Sequence, residues 1–182
     1  MLRIEPFQPA DLPVVAAFVE AIQEHERLGV PELKPGSEIG LGYAEMLVRT
    51  VAARNGIIVL AKVGERAIGF ACAWIDEDDD PLLREDARSH AFVSDIFVDA
   101  EWRRKGVGRL LLEAMESEMH ERGCRRIRIC AKAANLAALK CYEAAGYRPY
   151  EVTLCKSIAR AGGAIEGARI GVIADDRDRA DR

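Results

Sequence analysis

The hydrophobic and polar positions in the first third of the chain predict one strand and two helices. Apolar and polar residues alternate over residues 2–7, as in a half-buried strand. Apolar residues recur at helical spacing over 10–26, which predicts a helix with Asp11 as its N-cap. Two prolines and four glycines lie between 27 and 42, so this segment is expected to be a long loop that shapes a substrate site. A second helix is predicted over 43–56 and ends at an Asn-Gly pair.

The rest of the chain changes repeatedly between strand patterns and helical patterns. Strands are predicted at 57–63, 66–75, 91–98, 125–131 and 147–158, and helices at 103–122 and 135–145. The first two of these strands flank a Gly-Glu pair, which is typical of a hairpin. Gly123 and Gly146 stand where the two helices end. The order β-α-α-β-β-β-α-β-α-β predicts an α/β fold with a mixed sheet and helices on both faces.

The domain organisation expected from the sequence is one domain and a tail. A chain of 182 residues is long enough for one sizeable core but not comfortably for two. We expect the domain over 1–158 and the tail over 159–182, where glycine, aspartate and arginine are frequent. One short strand at 168–174 is expected in the tail, before a disordered end.

The composition excludes several classes of protein. A hydrophobic fraction of 49% and a charged fraction of 31% argue against intrinsic disorder. The net charge of −4 gives no general attraction to nucleic acid, so any anion must bind locally. No apolar run approaches the roughly 20 residues of a membrane span, and the N-terminus does not resemble a signal peptide. We therefore expect a cytoplasmic protein with no nucleic-acid partner and no membrane partner.

The cysteines and histidines give no sign of a metal or disulfide framework. The five cysteines are an odd number and include no C-x-x-C pair, so we expect reduced core residues of an intracellular protein. The three histidines are scattered along the chain, and no metal site is predicted.

A strand–turn–helix segment carries the clearest chemical signal. It contains the pattern R-x-x-G-x-G, with Arg103, Gly106 and Gly108 at its fixed positions and Arg104 and Lys105 between them. A helix N-terminus offers unpaired N–H groups and a partial positive charge, and glycines let a phosphate approach the backbone. An ordinary helix start favours a Ser, Thr or Asp cap and acidic residues in its first turn. Basic residues and glycines in their place indicate an anion site.

Two common phosphate-binding motifs do not fit this segment. A Walker A loop requires G-x-x-x-x-G-K-[ST], which the segment lacks. The dinucleotide fingerprint G-x-G-x-x-G requires a third glycine, but Leu111 stands in its place.

Residues 95–115 and 135–147 together resemble the GNAT superfamily of acyl-CoA-dependent N-acetyltransferases. The pattern R-x-x-G-x-G is followed, at the spacing typical of that family, by N-x-x-A-x-x-x-Y at Asn135, Ala138 and Tyr142. The resemblance extends over about residues 55–156. It implies one GNAT-like domain, with a twisted, mostly antiparallel sheet that opens as a V between the strands at 91–98 and 125–131.

The resemblance also implies where acetyl-CoA, the co-substrate, would bind. Its pantetheine arm would pair with residues 96–98, and backbone N–H groups of 104–109 would hold the pyrophosphate. A backbone donor near Phe97 or Val98 would bind the thioester carbonyl. The residues expected to bind the co-substrate are Phe97, Val98, Arg103, Arg104, Lys105, Gly106, Val107, Gly108, Arg109, Asn135 and Ala138.

Two residues are expected to move protons. Tyr142 lies two helical turns after Asn135, on the same face, and the resemblance directs it at the thioester sulfur. A phenol is protonated at neutral pH, so Tyr142 can donate to the departing thiolate. Asp95 is the expected base for the amine, through water, with Glu77 and Asp76 as alternatives. Cys141 has no histidine nearby in sequence, which argues against an acyl-cysteine enzyme.

The predicted function is direct transfer of an acetyl group from acetyl-CoA to a primary amine. The acceptor is expected to be a small-molecule amine or an amine of a protein or peptide, and sheet edges near the tail could support a homodimer. A non-catalytic acyl-CoA-binding sensor is the alternative, although such a module would have no use for an acid at Tyr142. A phosphate-binding α/β domain of another kind is the third hypothesis, against which the two missing motifs count.

Overall fold

Five strands form one sheet, and their order in the sheet follows the chain. The computed structural model describes residues 1–156. The strands are β1 (Leu2–Pro6), β2 (Ile57–Val63), β3 (Arg66–Glu77), β4 (Ser89–Val98) and β5 (Ile127–Ile129). Strands β1 to β4 pair antiparallel, whereas β5 runs parallel to β4. The mixed, mostly antiparallel sheet predicted from the sequence is thereby confirmed.

Helices lie on both faces of this sheet. Those in the described part of the chain are α1 (Leu12–Arg27), α2 (Gly36–Ala53), α3 (Val107–Glu121) and α4 (Leu136–Ala144). Helices α1 and α2 cover one face, where Phe18 and Phe70 belong to one core cluster. Helix α3 covers the other face, where Leu111 and Ile68 belong to a second cluster. Across residues 1–156, no helix combines the length and the apolar character needed to cross a membrane.

The chain divides into two units. Met1–Arg148 forms one compact unit, and the residues from Pro149 onwards belong to the other. The domain boundary predicted after residue 158 stays a prediction. The strand predicted at 168–174 lies outside the described residues.

The last strand predicted for the domain is wrong. Of the segment 147–158, the structure describes 147–156, and these residues form neither a helix nor a strand. Tyr150, Val152 and Leu154 continue the alternating pattern that suggested a strand, but all three are exposed. Alternation predicts a strand because one face is buried, and here neither face gains that burial.

The long loop predicted at 27–42 is also wrong, because helix α2 begins well before its end. The connection between α1 and α2 covers only residues 28–35. A Cβ atom on Gly36 would lie 2.5 Å from the backbone oxygen of Glu20, and one on Gly40 would lie 2.4 Å from the side chain of Glu20. These glycines let two helices approach each other closely, a use of glycine that composition alone does not distinguish from a loop.

Asp11 occupies the predicted N-cap position of helix α1, but its side chain makes no capping hydrogen bond to that helix. A 3₁₀ turn (Pro9–Asp11) precedes α1, and the Asp11 side chain completes the capping box of that turn. Its carboxylate accepts hydrogen bonds from the Gln8 N–H at 2.9 Å and from Lys62 Nζ at 2.8 Å. The residue therefore connects the start of α1 to strand β2.

The cysteines are all free thiols, but they are not all core residues. Cys72 is buried, and Cys124 and Cys141 are half-buried. Cys130 and Cys155 are exposed, so the expectation of five core cysteines is wrong for these two.

Strand β4 contains one extra residue, and this changes the direction of every side chain after it. Cys72 of β3 is opposite Asp95, whereas the next residue of β3, Ala73, is opposite Val93, which leaves Ser94 as a bulge. Val93 belongs to the core on the α3 side. After the bulge, Phe97 packs with the core on the side of α1 and α2. Asp95 consequently faces helices α1 and α2 and not helix α3.

The close approach of α1 and α2 can be tested by substituting two glycines of α2. We expect Gly36→Ala to lower the free energy of unfolding by about 1–3 kcal/mol, because the Cβ would overlap with helix backbone. Gly42→Ala is the matched control, since its Cβ would meet nothing within 4 Å. The control should be neutral or stabilising by up to about 1 kcal/mol, from the better helix propensity of alanine. Urea denaturation measures both, and equal effects would contradict the packing described.

Candidate active site

Strand β4 loses its neighbour part way along, which leaves an open edge in the sheet. Strand β5 pairs only with residues 91–93. Beyond the bulge, the Asp99 N–H donates to the Ile68 carbonyl at 2.8 Å, on the β3 side. Because backbone directions alternate along an antiparallel pair, the N–H groups of Ile96 and Val98 point away from β3. They face the V-shaped opening between β4 and the chain beyond β5.

Two backbone donors were expected for a thioester carbonyl, and the structure separates them. Phe97 is opposite Phe70, and its backbone is directed at β3. Val98 directs its N–H into the opening. The Phe97 ring packs on Phe18, with 4.9 Å between ring centroids, so this side chain supports the strand from the α1 side.

The turn that leads into helix α3 has an unusual backbone. Arg104 and Gly106 both have positive φ angles, 61° and 84°. Leu110 N donates to the Gly106 carbonyl at 3.1 Å, so the N–H groups of the three preceding residues, 107–109, have no helical acceptor. A Cβ on Gly106 would meet nothing within 4 Å. Unpaired donors, the positive end of a 15-residue helix and open space in front of them form an anion cradle.

The basic side chains of this turn differ in what they contact. Arg103 Nε donates to the Val98 carbonyl at 2.9 Å, and its guanidinium lies 5.8 Å from the centre of the Phe97 ring. Lys105 Nζ lies 4.9 Å from the centre of the Trp102 ring. Arg109 pairs with Glu113 at 2.7 Å along α3. Arg103 therefore connects the turn to β4 through its Nε.

Helix α4 lies beside the start of α3. The Asn135 side chain accepts a hydrogen bond from the Ala138 N–H at 3.1 Å, so Asn135 is the N-cap that fixes the start of this helix. A Cβ on Gly108 would lie 3.5 Å from Cys141 Sγ, which brings α4 next to the first turn of α3. The spacing of Asn135, Ala138 and Tyr142 is thus realised on one helix beside the anion cradle.

Tyr142 is suited to donate a proton. Its side chain is buried, and its ring lies 6.1 Å from that of Tyr147. Its hydroxyl makes no hydrogen bond to the described residues. Burial raises the pKa of Tyr142 well above its usual value, and the nearby charges of Glu26 and Asp95 act in the same direction. The phenol therefore stays protonated throughout the neutral range.

Asp95 is a half-buried carboxylate held by two donors. Ser94 Oγ donates to its Oδ2 at 2.5 Å, and Tyr43 Oη donates to the same oxygen at 3.3 Å. Burial raises the pKa of Asp95, whereas the two hydrogen bonds oppose that rise. The residue is consequently a carboxylate whose proton affinity is higher than usual, as a base requires.

The two alternative bases lie elsewhere along the sheet. Asp76 and Glu77 are opposite His90 and Ser89, at the far end of the β3–β4 pair from the opening. Asp76 forms an ion pair with Arg54. Among these three acids, only Asp95 is next to the bulge where the sheet opens.

Two residues near Asp95 were missed in the sequence. Tyr43 was assigned only to a helix, and nothing in its local pattern indicates a partner 52 positions away. Glu26 lines a cleft of about 250 Å³ with Asn135 and Lys132, and its carboxylate has no hydrogen bond or ion pair within residues 1–156. Its negative charge contributes to the raised pKa of Asp95. The sequence indicates Glu26 only by its position, near the end of an amphipathic helix and next to an irregular segment.

The described residues bring together no group of three or more His, Cys, Asp or Glu side chains that could hold a metal ion.

The chain belongs to the acetyltransferase (GNAT) family, whose sequence profile matches residues 20–147. This confirms the resemblance inferred from the two motifs, and with it the expected class, an acyltransferase. The fold agrees with solved structures of the family. An aminoglycoside N-acetyltransferase, AAC(6')-Iy in complex with CoA, has a TM-score of 0.65 at 21% identity, over 87% of this chain and 95% of that one. A GCN5-related N-acetyltransferase from Ralstonia eutropha has a TM-score of 0.69 at 17% identity, over 87% and 99%.

Sequence similarity to curated proteins covers a shorter segment. The [Ribosomal protein bS18]-alanine N-acetyltransferase of Escherichia coli is 30% identical over 84 residues, and that of Salmonella typhimurium is 37% identical over 84 residues. These matches cover 46% of this chain and 57% of each relative. The chain thus matches little more than half the length of these relatives.

The two adjacent arginines of the turn allow a matched test of its backbone. We expect Arg104→Gly to raise the free energy of unfolding by up to about 1 kcal/mol, because a left-handed conformation is unfavourable for arginine and not for glycine. Arg103→Gly should lower it by about 1–2 kcal/mol, since the hydrogen bond to the Val98 carbonyl is lost. Each variant removes one positive charge. Urea denaturation of the two variants should give opposite signs, and equal signs would contradict the assigned geometry.

Proposed function

We propose that this protein transfers an acetyl group from acetyl-CoA to a primary amine. The proposal rests on three groups of complementary use, which we place around one opening. These are the unpaired edge of β4, the anion cradle at the start of α3 and the protonated hydroxyl of Tyr142. Membership of the GNAT family and the CoA-bound structure with the same fold support it.

The residues present fit the acetyl-CoA molecule. The N–H groups of 107–109 and the open space at Gly106 suit a pyrophosphate. The unpaired backbone of Ile96 suits an amide of the pantetheine arm, which would continue the sheet as β5 does further along. The small side chain of Ala138 leaves room for that arm beside α4. Arg103 acts through its bond to the Val98 carbonyl, which keeps this edge in place.

The chemical step is a direct displacement at the thioester carbonyl. The acceptor ammonium first loses a proton, through water, to Asp95. The amine nitrogen then forms a bond to the carbonyl carbon, the C–S bond breaks and the electron pair leaves with sulfur. Tyr142 gives its proton to that sulfur, and the second proton of the nitrogen leaves to solvent to complete the amide. Solvent then reprotonates Tyr142 and takes the proton from Asp95. Because both substrates are held together, no covalent enzyme intermediate is required.

The Val98 N–H would stabilise the negative charge that develops on the carbonyl oxygen. A fixed backbone donor is effective there because it is already oriented before the reaction begins. Among the expected donors, Val98 is favoured over Phe97 by the direction of its backbone.

The proposed acceptor is a primary amine, either of a small molecule or of a protein or peptide. The relatives are named for ribosomal-protein alanine and for aminoglycosides, so both peptide and small-molecule amines belong in a first panel. Thiol release from acetyl-CoA should be measured with simple alkyl amines, an aminoglycoside and a peptide with N-terminal alanine. Release that depends on an amine supports the proposal. CoA binding without turnover of any amine would favour the alternative, a non-catalytic acyl-CoA sensor.

The proposed role of Tyr142 is tested against a neighbouring tyrosine. Tyr142→Phe should lower kcat about a hundredfold or more and leave acetyl-CoA binding within about threefold, because only the transferable proton is lost. Tyr147→Phe removes a hydroxyl from the ring beside it and should change kcat by less than about threefold. Steady-state kinetics with the best amine of the panel measure both. Equal, small effects on kcat would remove Tyr142 from the reaction.

The anion cradle is tested with two glycines of similar conformation. Gly106→Glu should weaken CoA binding by at least about tenfold, because the carboxylate occupies the space and opposes the charge of the pyrophosphate. Gly64→Glu is the matched control: Gly64 also has a positive φ and open space around its Cβ position, but it lies in the β2–β3 turn. Titration calorimetry with CoA should separate the two variants. Equal affinities would contradict the location of the pyrophosphate site.

A further inference from the structure

The two oxygens of the Asp95 carboxylate are used very differently. Oδ2 accepts both hydrogen bonds, from Ser94 Oγ at 2.5 Å and from Tyr43 Oη at 3.3 Å. Among the described residues, no donor reaches Oδ1. Two donors on one oxygen fix the plane of the carboxylate and leave the second oxygen with its lone pairs free.

Both donors depend on special features of the fold. Ser94 is the bulged residue of β4, and it lies next to Asp95 in the chain. Tyr43 lies on α2, almost one helical turn after Gly40, at which α2 packs closely on Glu20 of α1. The hydroxyl of Tyr43 therefore reaches β4 because helix and sheet are held at a fixed distance.

Charged and titratable groups face Asp95 from every element around it. Glu26 of α1 adds a negative charge, and the buried thiol of Cys72 of β3 is kept neutral because burial raises its pKa. Tyr142 of α4 and Tyr43 of α2 are phenols, and burial raises the pKa of each. Burial and Glu26 favour the neutral acid at Asp95. Only the two hydroxyl donors favour the carboxylate.

We propose that Tyr43 and Ser94 are positioning residues that hold Oδ2 of Asp95 and so present Oδ1 to the proton of the acceptor amine. This inference rests on the proposed function, in which Asp95 is the base. The pair has two effects: it orients the free oxygen towards the opening, and it opposes the rise in the pKa of Asp95 that burial causes. The proton passes from the amine nitrogen to Oδ1 through water, while Oδ2 keeps its two donors.

The pH dependence of kcat/KM tests this inference in the full chain. Activity should rise with pH as Asp95 loses its proton. That rise is the acidic limb of the pH profile. Tyr43→Phe and Ser94→Ala each remove a donor that favours the charged form of Asp95, so each should move the acidic limb to higher pH by about one unit. Ser94→Thr restores a hydroxyl and should return the limb towards its original pH. A purely structural role would lower the activity at every pH without moving the limb, and that result would overturn the proposal.

Asp95→Asn distinguishes this inference from the proposed function. If Asp95 is the base, this variant loses the limb altogether and its activity falls at every pH. A limb that remains unchanged in Asp95→Asn overturns the assignment of the base. A limb that is absent in Asp95→Asn and unmoved in Tyr43→Phe overturns the positioning role alone.

An NMR titration, which requires no turnover, tests the proposal in variants that are inactive. The carboxyl carbon of Asp95 can be titrated by NMR in protein labelled with ¹³C at aspartate, with Asp95→Asn identifying the resonance. We expect its pKa to be higher in Tyr43→Phe and in Ser94→Ala than in the unaltered chain. An unchanged pKa in both variants overturns the proposal, whatever their activity.

Discussion

The extra residue in strand β4 is the constraint on which the site depends. Ser94 shifts the strand by one position, so Asp95 turns from the α3 face to the face of α1 and α2. The same shift reverses which backbone groups point away from β3. Strand β5 has by then ended its pairing, so the N–H groups of Ile96 and Val98 are left without a strand partner. One residue thus both turns Asp95 towards α1 and α2 and sets the backbone direction of the unpaired edge of β4.

The turn before α3 has a backbone conformation that is unfavourable for stability but suited to an anion site. Arginine at a positive φ and glycines at a helix start both reduce stability, and no acidic side chain compensates the helix dipole. These costs are consistent with a site whose balance is restored when a phosphate binds. The hydrogen bond from Arg103 to the Val98 carbonyl joins this turn to the open strand edge. The two parts of the proposed acetyl-CoA site are therefore mechanically connected.

Burial has opposite consequences for Tyr142 and Asp95, the two groups proposed to transfer protons. For Tyr142, a raised pKa keeps the phenol protonated, which is the state that a donor to sulfur needs. For Asp95, the same desolvation favours the neutral acid, which is the wrong state for a base. The hydroxyls of Ser94 and Tyr43 counteract this effect. A partly buried site can thus hold one group protonated and another ionised, provided that only the second receives hydrogen-bond donors.

The sequence by itself determined the strands up to β5, the order of the helices, the glycine turn before α3 and the helix that carries Asn135 and Tyr142. These features depend on contacts within a few residues, such as strand alternation, helix caps and a glycine turn, so their signals are local. Only the tertiary structure decided that Gly36 and Gly40 belong to a helix, since their use depends on Glu20 of another helix. It also decided that the alternating residues after Tyr147 form no strand, and that Tyr43 reaches Asp95. Each of these features depends on which distant segment of the chain packs against the residues concerned. The periodicity of a local sequence pattern does not contain that information.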